Sequence, residues 1–303
     1  MGNGELAVQI VPTTEAAMKE VKDKVAFITG GGSGLGFGMA AAFLRAGMKV
    51  TIADIRQDHL DQALSSLKKF GAVHGIAVDV TDRGAMMRAA DETERVFGKI
   101  HVLCNNAGVG VGGPLKLATY DDWDWVVGVN LGGVINGVQT FLPRILAHGE
   151  GGHIVNTSSM SGVVAHPKGV IYATTKFAVV GLSESLRTEL AADNIGVSAF
   201  CPGPVNTDFA HAGETRPARL ANTGYSATEK ARQAHSTSPL YMDAEKAGEL
   251  VLEGVRKNKL YIFTHSEYGD AIRARCANVV AAIPDYAPNP ELVKQIQVYL
   301  GEG

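Results

Sequence analysis

The chain has 303 residues, of which 46% are hydrophobic and 19% are charged, enough to fill a core and too few charges for a disordered protein. Its net charge of −3 leaves no positive surplus for a phosphate backbone, so nucleic acid is not an expected partner. The three cysteines are widely spaced and form no C-x-x-C pair, which argues against a disulfide framework and favours buried thiols in a reducing cytoplasm.

Three regions are predicted along the chain. Residues 1–22 carry charges and no sustained apolar run, so they are interpreted as an N-terminal extension rather than a signal peptide or a membrane span. Residues 23–265 form one domain, which includes a long connection at 207–239 of a length typical of functional loops. Residues 266–303 are predicted as a C-terminal helical extension. The apolar runs are too short to cross a bilayer, so no membrane partner is expected.

Short runs rich in Val and Ile alternate with longer amphipathic stretches through the central region. Strands are predicted at Val25–Thr29, Lys49–Ala53, Val73–Val78, Val102–Cys104, His153–Thr157, Gly196–Cys201 and Leu260–Phe263. Helices are predicted between them at Leu35–Ala46, Asp58–Phe70, Arg83–Phe97, Trp123–Leu146, Ile171–Ala192 and Glu245–Lys257. This alternation predicts an α/β fold: a single, doubly wound, parallel sheet of seven strands, of the Rossmann type, with helices on both faces.

A glycine-rich turn joins the first strand to the first helix. In such a turn the first glycine allows a tight bend, the second lets the backbone approach a pyrophosphate, and the third lets helix and strand pack closely. The N-terminus of the helix then presents free N–H groups to the phosphates. Because strand, turn and helix follow in the required order, the sequence predicts a dinucleotide site at Gly30, Ser33, Gly34, Leu35 and Gly36.

Asp54 ends the second strand, where a dinucleotide fold places an acid on the adenosine ribose. Its carboxylate can accept a hydrogen bond from the 2′-hydroxyl, whereas a 2′-phosphate would meet a like charge at a cost of a few kcal/mol. NAD is therefore predicted over NADP. The alternative is that Arg56 or Arg45 swings in to hold a 2′-phosphate.

Further polar and glycine residues follow later strands, at the rim where ligands bind in open α/β sheets. Ordinary turn chemistry explains such residues equally well when each is taken alone. As a set, they are predicted to contact the adenine, the central part of the cofactor and the nicotinamide. They are Asp79 and Val80 after the third strand, Asn106, Ala107 and Gly108 after the fourth, and Pro202, Gly203, Val205 and Thr207 after the sixth.

Tyr172 and Lys176 lie four residues apart near the start of a predicted helix and so share one face. A tyrosine phenol has a pKa near 10, so acting as a base near neutrality requires that pKa to fall by roughly 3, or about 4 kcal/mol. A neighbouring ammonium and a cationic nicotinamide can supply that preference. Alone, the pair is more often a packing or surface pair, but Ser159, with Ser158 as its competitor, lies upstream, where its hydroxyl can hold a substrate oxygen.

Asn130 is a polar residue inside a long apolar helix, so it is expected either at a kink or next to an ordered water that connects the site to solvent. The nine histidines show no spacing typical of a metal motif, so no metal is expected.

Taken together, these residues resemble the short-chain dehydrogenase/reductase family. The resemblance covers about Lys24 to Thr264. It implies that Tyr172 is the general acid/base, that Lys176 binds the nicotinamide ribose and lowers the tyrosine pKa, that Ser159 holds the substrate, and that Asn130 completes a proton relay. The family spacing of thirteen residues before the tyrosine selects Ser159, and its acid after the second strand corresponds to Asp54. The resemblance also implies a homodimer or homotetramer joined through the two long helices.

Three stretches are similar to the bacterial Cα-dehydrogenases of lignin-derived β-aryl ethers, which oxidise a benzylic secondary alcohol with NAD. These stretches are 53–60, 194–197 and 258–261. The resemblance implies a large substrate pocket under the 207–239 connection, with Phe209 and Tyr225 facing an aromatic or apolar substrate. The expected function is NAD-dependent oxidation of a secondary alcohol, or reduction of the ketone. The alternative is a catalytically idle dinucleotide sensor or scaffold of the same fold.

Overall fold

The computed structural model describes residues 18–220, 224–225 and 238–299. Most of the predicted N-terminal extension, 1–17, therefore lies outside the described residues, and so do 221–223 and 226–237 of the long connection. Two side chains of the segment just before the central domain, Met18 and Val21, are buried in the main core.

Seven parallel strands form one sheet in the order β3-β2-β1-β4-β5-β6-β7, which confirms the predicted fold class. Each begins and ends within one residue of its prediction, because the apolar runs end at glycine or polar residues. The strands are β1 Val25–Thr29, β2 Lys49–Asp54, β3 Val73–Ala77, β4 Val102–Asn105, β5 Gly152–Thr157, β6 Ile195–Cys201 and β7 Tyr261–Phe263.

Helices cover both faces of the sheet. The helices of the described residues are α1 Gly34–Arg45, α2 Gln57–Leu67, α3 Arg83–Phe97, α4 Tyr120–Val127, α5 Gly133–His148, α6 Val170–Glu189, α7 Ala244–Arg256, α8 Gly269–Ala281 and α9 Pro290–Tyr299. Alternate residues of β1 point to opposite faces, so Ala26 and Ile28 pack in one apolar cluster with α1 and α7, while Val25 and Phe27 pack in a second cluster with α3 and α5. The two clusters hold the strands rigidly, which fixes the loops at the strand ends.

One long helical region differs from its prediction in two ways. The start at Tyr120 is three residues earlier than predicted because Thr119 and Asp122 form a capping box that satisfies the first free N–H groups. In addition, Gly128–Gly132 forms a π-helical turn between α4 and α5. Tyr120–His148 is also long and apolar enough to cross a bilayer by length and composition, contrary to expectation, but half of its most apolar stretch is buried inside the fold.

The C-terminal extension forms α8 and α9, and neither helix has a buried residue. Several of their apolar side chains are exposed, among them Val280 at 64% and Val298 at 68%. Cys276 of α8 is likewise exposed, whereas Cys104 and Cys201 are buried as expected. The predicted helices are therefore present. Ile272 of α8 is half-buried against a cluster of Met160, Ala199 and Cys201, while most of the other large apolar side chains of α8 and α9 are exposed.

Candidate functional site

A cleft of about 1190 Å³ lies along the carboxyl edge of the sheet. It opens where the strand order reverses between β1 and β4, the position at which open α/β sheets bind their ligands. Nearly all residues predicted for the site line this one cleft. They are Gly30, Ser33, Gly34, Leu35, Asp54, Asp79, Val80, Asn106, Ala107, Gly108, Ser159, Tyr172, Lys176, Pro202, Gly203, Val205 and Thr207.

The glycine turn fits a dinucleotide because side chains cannot be accommodated there. A Cβ on Gly36 would lie 2.1 Å from the carbonyl oxygen of Gly30, so this glycine is needed for helix packing and does not itself line the cleft. Gly30 has φ +63, in the left-handed region. Ser33 is the N-cap of α1 but makes no side-chain capping bond, and the first turn of α1 carries no acid. The partial positive charge at the N-terminus of α1 is therefore not neutralised by a neighbouring side chain, and it is available to an anion in the cleft.

Thr29 and Asn106 brace this turn. The Thr29 hydroxyl accepts hydrogen bonds from the backbone N–H groups of Asn106 at 2.9 Å and Ala107 at 3.0 Å. The Asn106 side-chain amide donates in return to the carbonyl oxygen of Thr29 at 3.1 Å. Because the amide is engaged in this way, Asn106 acts in the structure by fixing the two loops to each other.

Asp54 lies in the cleft at the end of β2. Its carboxylate accepts from the backbone N–H of Gly32 at 3.0 Å and from that of Arg56 at 3.1 Å. A Cβ on Gly32 would lie 2.9 Å from the same carboxylate, so glycine is required for this close approach. The two backbone donors hold the carboxylate in one position, and its remaining lone pairs can accept a hydrogen bond from a ribose hydroxyl.

The later rim residues are also held by local bonds. The Asp79 carboxylate accepts from the backbone N–H of Thr81 at 2.9 Å, which forms an Asx turn after β3. The backbone N–H of Gly203 donates to the Thr264 hydroxyl at 2.8 Å. Thr207 packs against the glycine turn, since a Cβ on Gly34 would lie 3.0 Å from the Thr207 Cβ.

Tyr172 and Lys176 lie near the start of α6, one turn apart, and both line the cleft. The ammonium of Lys176 is 5.5 Å from the centre of the Tyr172 ring and donates to the carbonyl oxygen of Thr157 at 2.9 Å. Burial away from water disfavours the charged amine and lowers the pKa of Lys176 to about 8. At neutral pH the side chain is still a cation, so positive charge is held beside the phenol.

Ser158 and Ser159 differ in what their hydroxyls contact. Ser158 is buried, and its hydroxyl donates to the carbonyl oxygen of Lys176 at 2.7 Å. The hydroxyl of Ser159 accepts from the backbone N–H of Ser161 at 3.1 Å, so its own hydrogen remains available for an acceptor in the cleft. The geometry therefore favours Ser159 as the residue that meets a substrate oxygen.

Asn130 lies in the π-helical turn and does not line the cleft. Its side chain accepts from the backbone N–H of Val109 at 2.8 Å and donates to the carbonyl oxygen of Val109 at 2.9 Å. The side chain therefore joins the π-helical turn to the loop after β4.

Of the two aromatic side chains predicted to face the substrate, one lines the cleft. Phe209 lines it, with its ring 5.7 Å from that of Tyr172, as the sequence suggested. Tyr225 instead lies in a buried cluster with Trp125 and is not among the cleft residues. Trp125 of α4, which does line the cleft, was missed because a tryptophan in an amphipathic helix gives no signal beyond packing.

Within 18–220, 224–225 and 238–299, no three His, Cys, Asp or Glu side chains lie together as a metal site requires.

The family model for the short chain dehydrogenases matches residues 24–217. The chain belongs to this family. The short-chain dehydrogenase described here is 40% identical over 281 residues to the "C alpha-dehydrogenase" of Sphingobium, covering 92% of each chain. It is 30% identical to the "CLA biosynthesis dehydrogenase/reductase" of Lactiplantibacillus plantarum, covering 92% of this chain and all of the relative. Both resemblances inferred from the sequence are confirmed, and the protein is an oxidoreductase of this family.

Solved structures of short-chain dehydrogenases have the same fold as this chain. A short-chain dehydrogenase from Burkholderia phymatum in complex with NAD superposes with a TM-score of 0.82 at 36% identity, covering 89% of this chain and 99% of that one. LigO from Sphingobium, in its apo form, superposes with a TM-score of 0.75 at 41% identity, covering 93% and 97%. A similar chain thus carries the predicted cofactor on the same fold.

Proposed function

We propose that this short-chain dehydrogenase uses NAD to oxidise a secondary alcohol, or to reduce the corresponding ketone, on a bulky aromatic or apolar small molecule. The observation that carries the proposal is that Tyr172, Lys176 and Ser159 line the same cleft as the glycine turn. Acid–base groups and a dinucleotide cradle at one carboxyl edge are what hydride transfer from a carbon–oxygen centre requires.

Each member of the trio has a separate task. The Tyr172 hydroxyl exchanges the proton of the substrate oxygen, as a base during oxidation and as an acid during reduction. The Lys176 ammonium favours negative charge on the tyrosine oxygen and reaches the nicotinamide ribose. The Ser159 hydroxyl donates to the substrate oxygen, where charge accumulates in the transition state. When bound, NAD supplies the hydride acceptor.

Asn130 is proposed as a positioning residue. Its side chain holds both backbone groups of Val109, so any contact with a relay water involves its backbone rather than its amide. We predict that a water-mediated path connects Lys176 to solvent, and that the water is held by the backbone of the π-helical turn.

The coenzyme would lie along the cleft in the order of the loops. Gly30, Ser33, Gly34 and Leu35 would face the pyrophosphate, and Gly36 would support them by packing. Asp54 would hold the adenosine ribose, which supports NAD over NADP. The adenine would meet Asp79 and Val80, the middle of the coenzyme would meet Asn106, Ala107 and Gly108, and the nicotinamide would meet Pro202, Gly203, Val205 and Thr207.

The substrate class rests on two aromatic residues of the cleft lining. Phe209 packs beside Tyr172 and Trp125 lines the same cleft, so an aromatic ring on the substrate can pack against an aromatic side chain. The likeness to the Sphingobium "C alpha-dehydrogenase" supports the same class. A benzylic secondary alcohol fits both observations.

We also propose a cytoplasmic homodimer or homotetramer. The family-like assembly would use the long helical region Tyr120–His148 and α6, on which Ile135, Leu146 and Val170 are each 40% exposed. The exposed apolar residues of α8 and α9 offer a second surface for such an assembly.

The test is to follow nicotinamide absorbance with a panel of aromatic and aliphatic secondary alcohols, using NAD and NADP in parallel. We expect turnover with NAD and a preference for benzylic alcohols. The alternative of an idle sensor or scaffold predicts NADH binding, seen by fluorescence, with no turnover of any alcohol or ketone in either direction.

A further inference from the structure

Arg56 occupies an unusual position at the adenosine end of the cleft. It follows Asp54 by two residues, and its own backbone N–H donates to the Asp54 carboxylate at 3.1 Å. Its guanidinium donates to both carboxylate oxygens of Asp58, at 2.6 Å and 3.1 Å. A third bond, at 2.5 Å, goes to the carboxylate of Glu214, which lies 158 residues further along the chain.

Glu214 belongs to a short helical segment, Asp208–Thr215, which contributes several residues to the lining of the cleft. The residue just before this segment, Thr207, packs on the glycine turn at Gly34. The residue just after it, Arg216, contacts Asp122 of α4, and both of these side chains are buried. The segment is therefore held at one end by the glycine turn and at the other end by α4, independently of Glu214.

The Arg56–Glu214 pair joins this segment to the loop after β2, next to Asp54. Both residues line the cleft, and both side chains are part-exposed, Arg56 at 31% and Glu214 at 46%. His211 adds a contact of 3.2 Å to the other oxygen of Glu214. Because Asp54, the glycine turn and both members of the pair line one cleft, a ligand that extends from the glycine turn to Asp54 would lie next to this ion pair.

We propose that Arg56 and Glu214 form a clasp over the adenosine end of the coenzyme, an inference that rests on the proposed use of NAD. The closed clasp slows coenzyme release, because the adenosine can leave only after the pair separates. It also commits the Arg56 guanidinium to two carboxylates, so a 2′-phosphate must displace Glu214 to reach it. Glu214 thereby strengthens the selectivity for NAD that Asp54 begins.

The partial exposure of the pair sets the size of the effect. Exposed ion pairs are weak and are screened by salt, so the clasp is expected to slow NADH release by about three- to fivefold rather than by orders of magnitude. High salt should remove this difference, because it weakens the pair while leaving the buried contacts of the cleft in place.

The experiment measures NADH dissociation by stopped-flow fluorescence, and equilibrium binding of NADH and NADPH, without any substrate. Glu214→Gln removes the charge and keeps the shape. Arg56→Gln opens the clasp from the other side and also removes the cation. The matched control is Glu245→Gln, because Glu245 forms a similarly exposed pair with Arg45, at 2.6 Å, away from the cleft.

We expect Glu214→Gln to release NADH about three- to fivefold faster at low salt and to bind NADPH about fivefold tighter. Arg56→Gln should release NADH equally fast but gain no affinity for NADPH. Glu245→Gln should match the wild type. The clasp is refuted if Glu214→Gln releases NADH at the wild-type rate, or if the control changes by the same factor.

These readouts separate the clasp from the proposed reaction. If the wild type turns over no alcohol yet the variants change NADH release as described, the reaction is wrong and the clasp stands. If alcohols are oxidised but release is unchanged, the clasp alone is wrong. If the wild type binds neither NADH nor NADPH, both proposals fail.

Discussion

Replacement of Lys176 by methionine tests whether a charged amine is buried in the site, and the only quantity measured is the free energy of unfolding. The side chain is 3% exposed, and its burial lowers the pKa of the amine from 10.5 to about 8. Between these two pKa values the unfolded chain binds more protons than the folded chain, so this group's contribution to stability rises with pH across that window. At neutral pH, the folded protein therefore carries a penalty of about 3 kcal/mol for holding the charged amine.

Methionine has a similar length and cannot titrate. At pH 7 it relieves the penalty but leaves the Thr157 carbonyl oxygen without the bond it accepts from Lys176, a loss of about 1–2 kcal/mol. The variant should thus be as stable as the wild type or about 1–2 kcal/mol more stable at pH 7. Between pH 7 and pH 10, the free energy of unfolding of the wild type should rise by about 2–3 kcal/mol relative to that of the variant. Only the wild type gains stability in this range, because its buried amine loses the proton.

The assay is equilibrium urea unfolding of the coenzyme-free protein at several pH values between 7 and 10, at one protein concentration. The matched control is Lys116→Met, which replaces an exposed lysine by the same residue and so reports the effect of the substitution without burial of the amine. A Lys176→Met difference that is constant with pH would refute the claim that a buried ammonium is held beside Tyr172.

Four further substitutions probe the glycine turn, the Arg216–Asp122 ion pair and the two candidate serines. Gly36→Ala should reduce NADH affinity by at least about tenfold in a fluorescence titration and destabilise the fold by several kcal/mol, because its Cβ would lie 2.1 Å from the Gly30 oxygen; binding like that of the wild type would contradict this. Asp122→Ala removes the carboxylate of a buried ion pair and should lower the free energy of unfolding by about 3 kcal/mol, so an unchanged urea midpoint would count against this ion pair. Ser159→Ala should lower kcat by about a hundredfold with little change in NADH binding, whereas Ser158→Ala should act mainly on stability; the reverse pattern would reassign the substrate contact.

Much of the fold could be predicted because its strands are nearly continuous apolar runs ended by glycine or polar residues. The β1 strand and the α3 helix match their predicted bounds. The glycine turn, Asp54 and the Tyr172–Lys176 pair could be found because their geometry depends on short sequence spacing. The π-helical turn at Gly128–Gly132 could not, since helical periodicity does not register one extra residue per turn.

Long-range pairings left no signal in the sequence. Nothing near Arg56 indicates that Glu214 will meet it, because the two lie 158 residues apart and their approach depends on the path of the connection after β6. The exposure of α9 was also unforeseen: its apolar residues repeat at helical spacing, and such a pattern does not distinguish a face that packs on its own domain from one that stays exposed.

Proton transfer by Tyr172 is the central step of the proposed reaction. The direct measurement is the rate of NADH formation from a benzylic secondary alcohol by the wild type and by Tyr172→Phe, with NADH affinity measured for both. We predict that kcat falls by at least about a hundredfold in the variant while NADH affinity stays within about twofold, because the ring and its packing on Phe209 remain. Turnover by Tyr172→Phe at the wild-type rate would contradict the account.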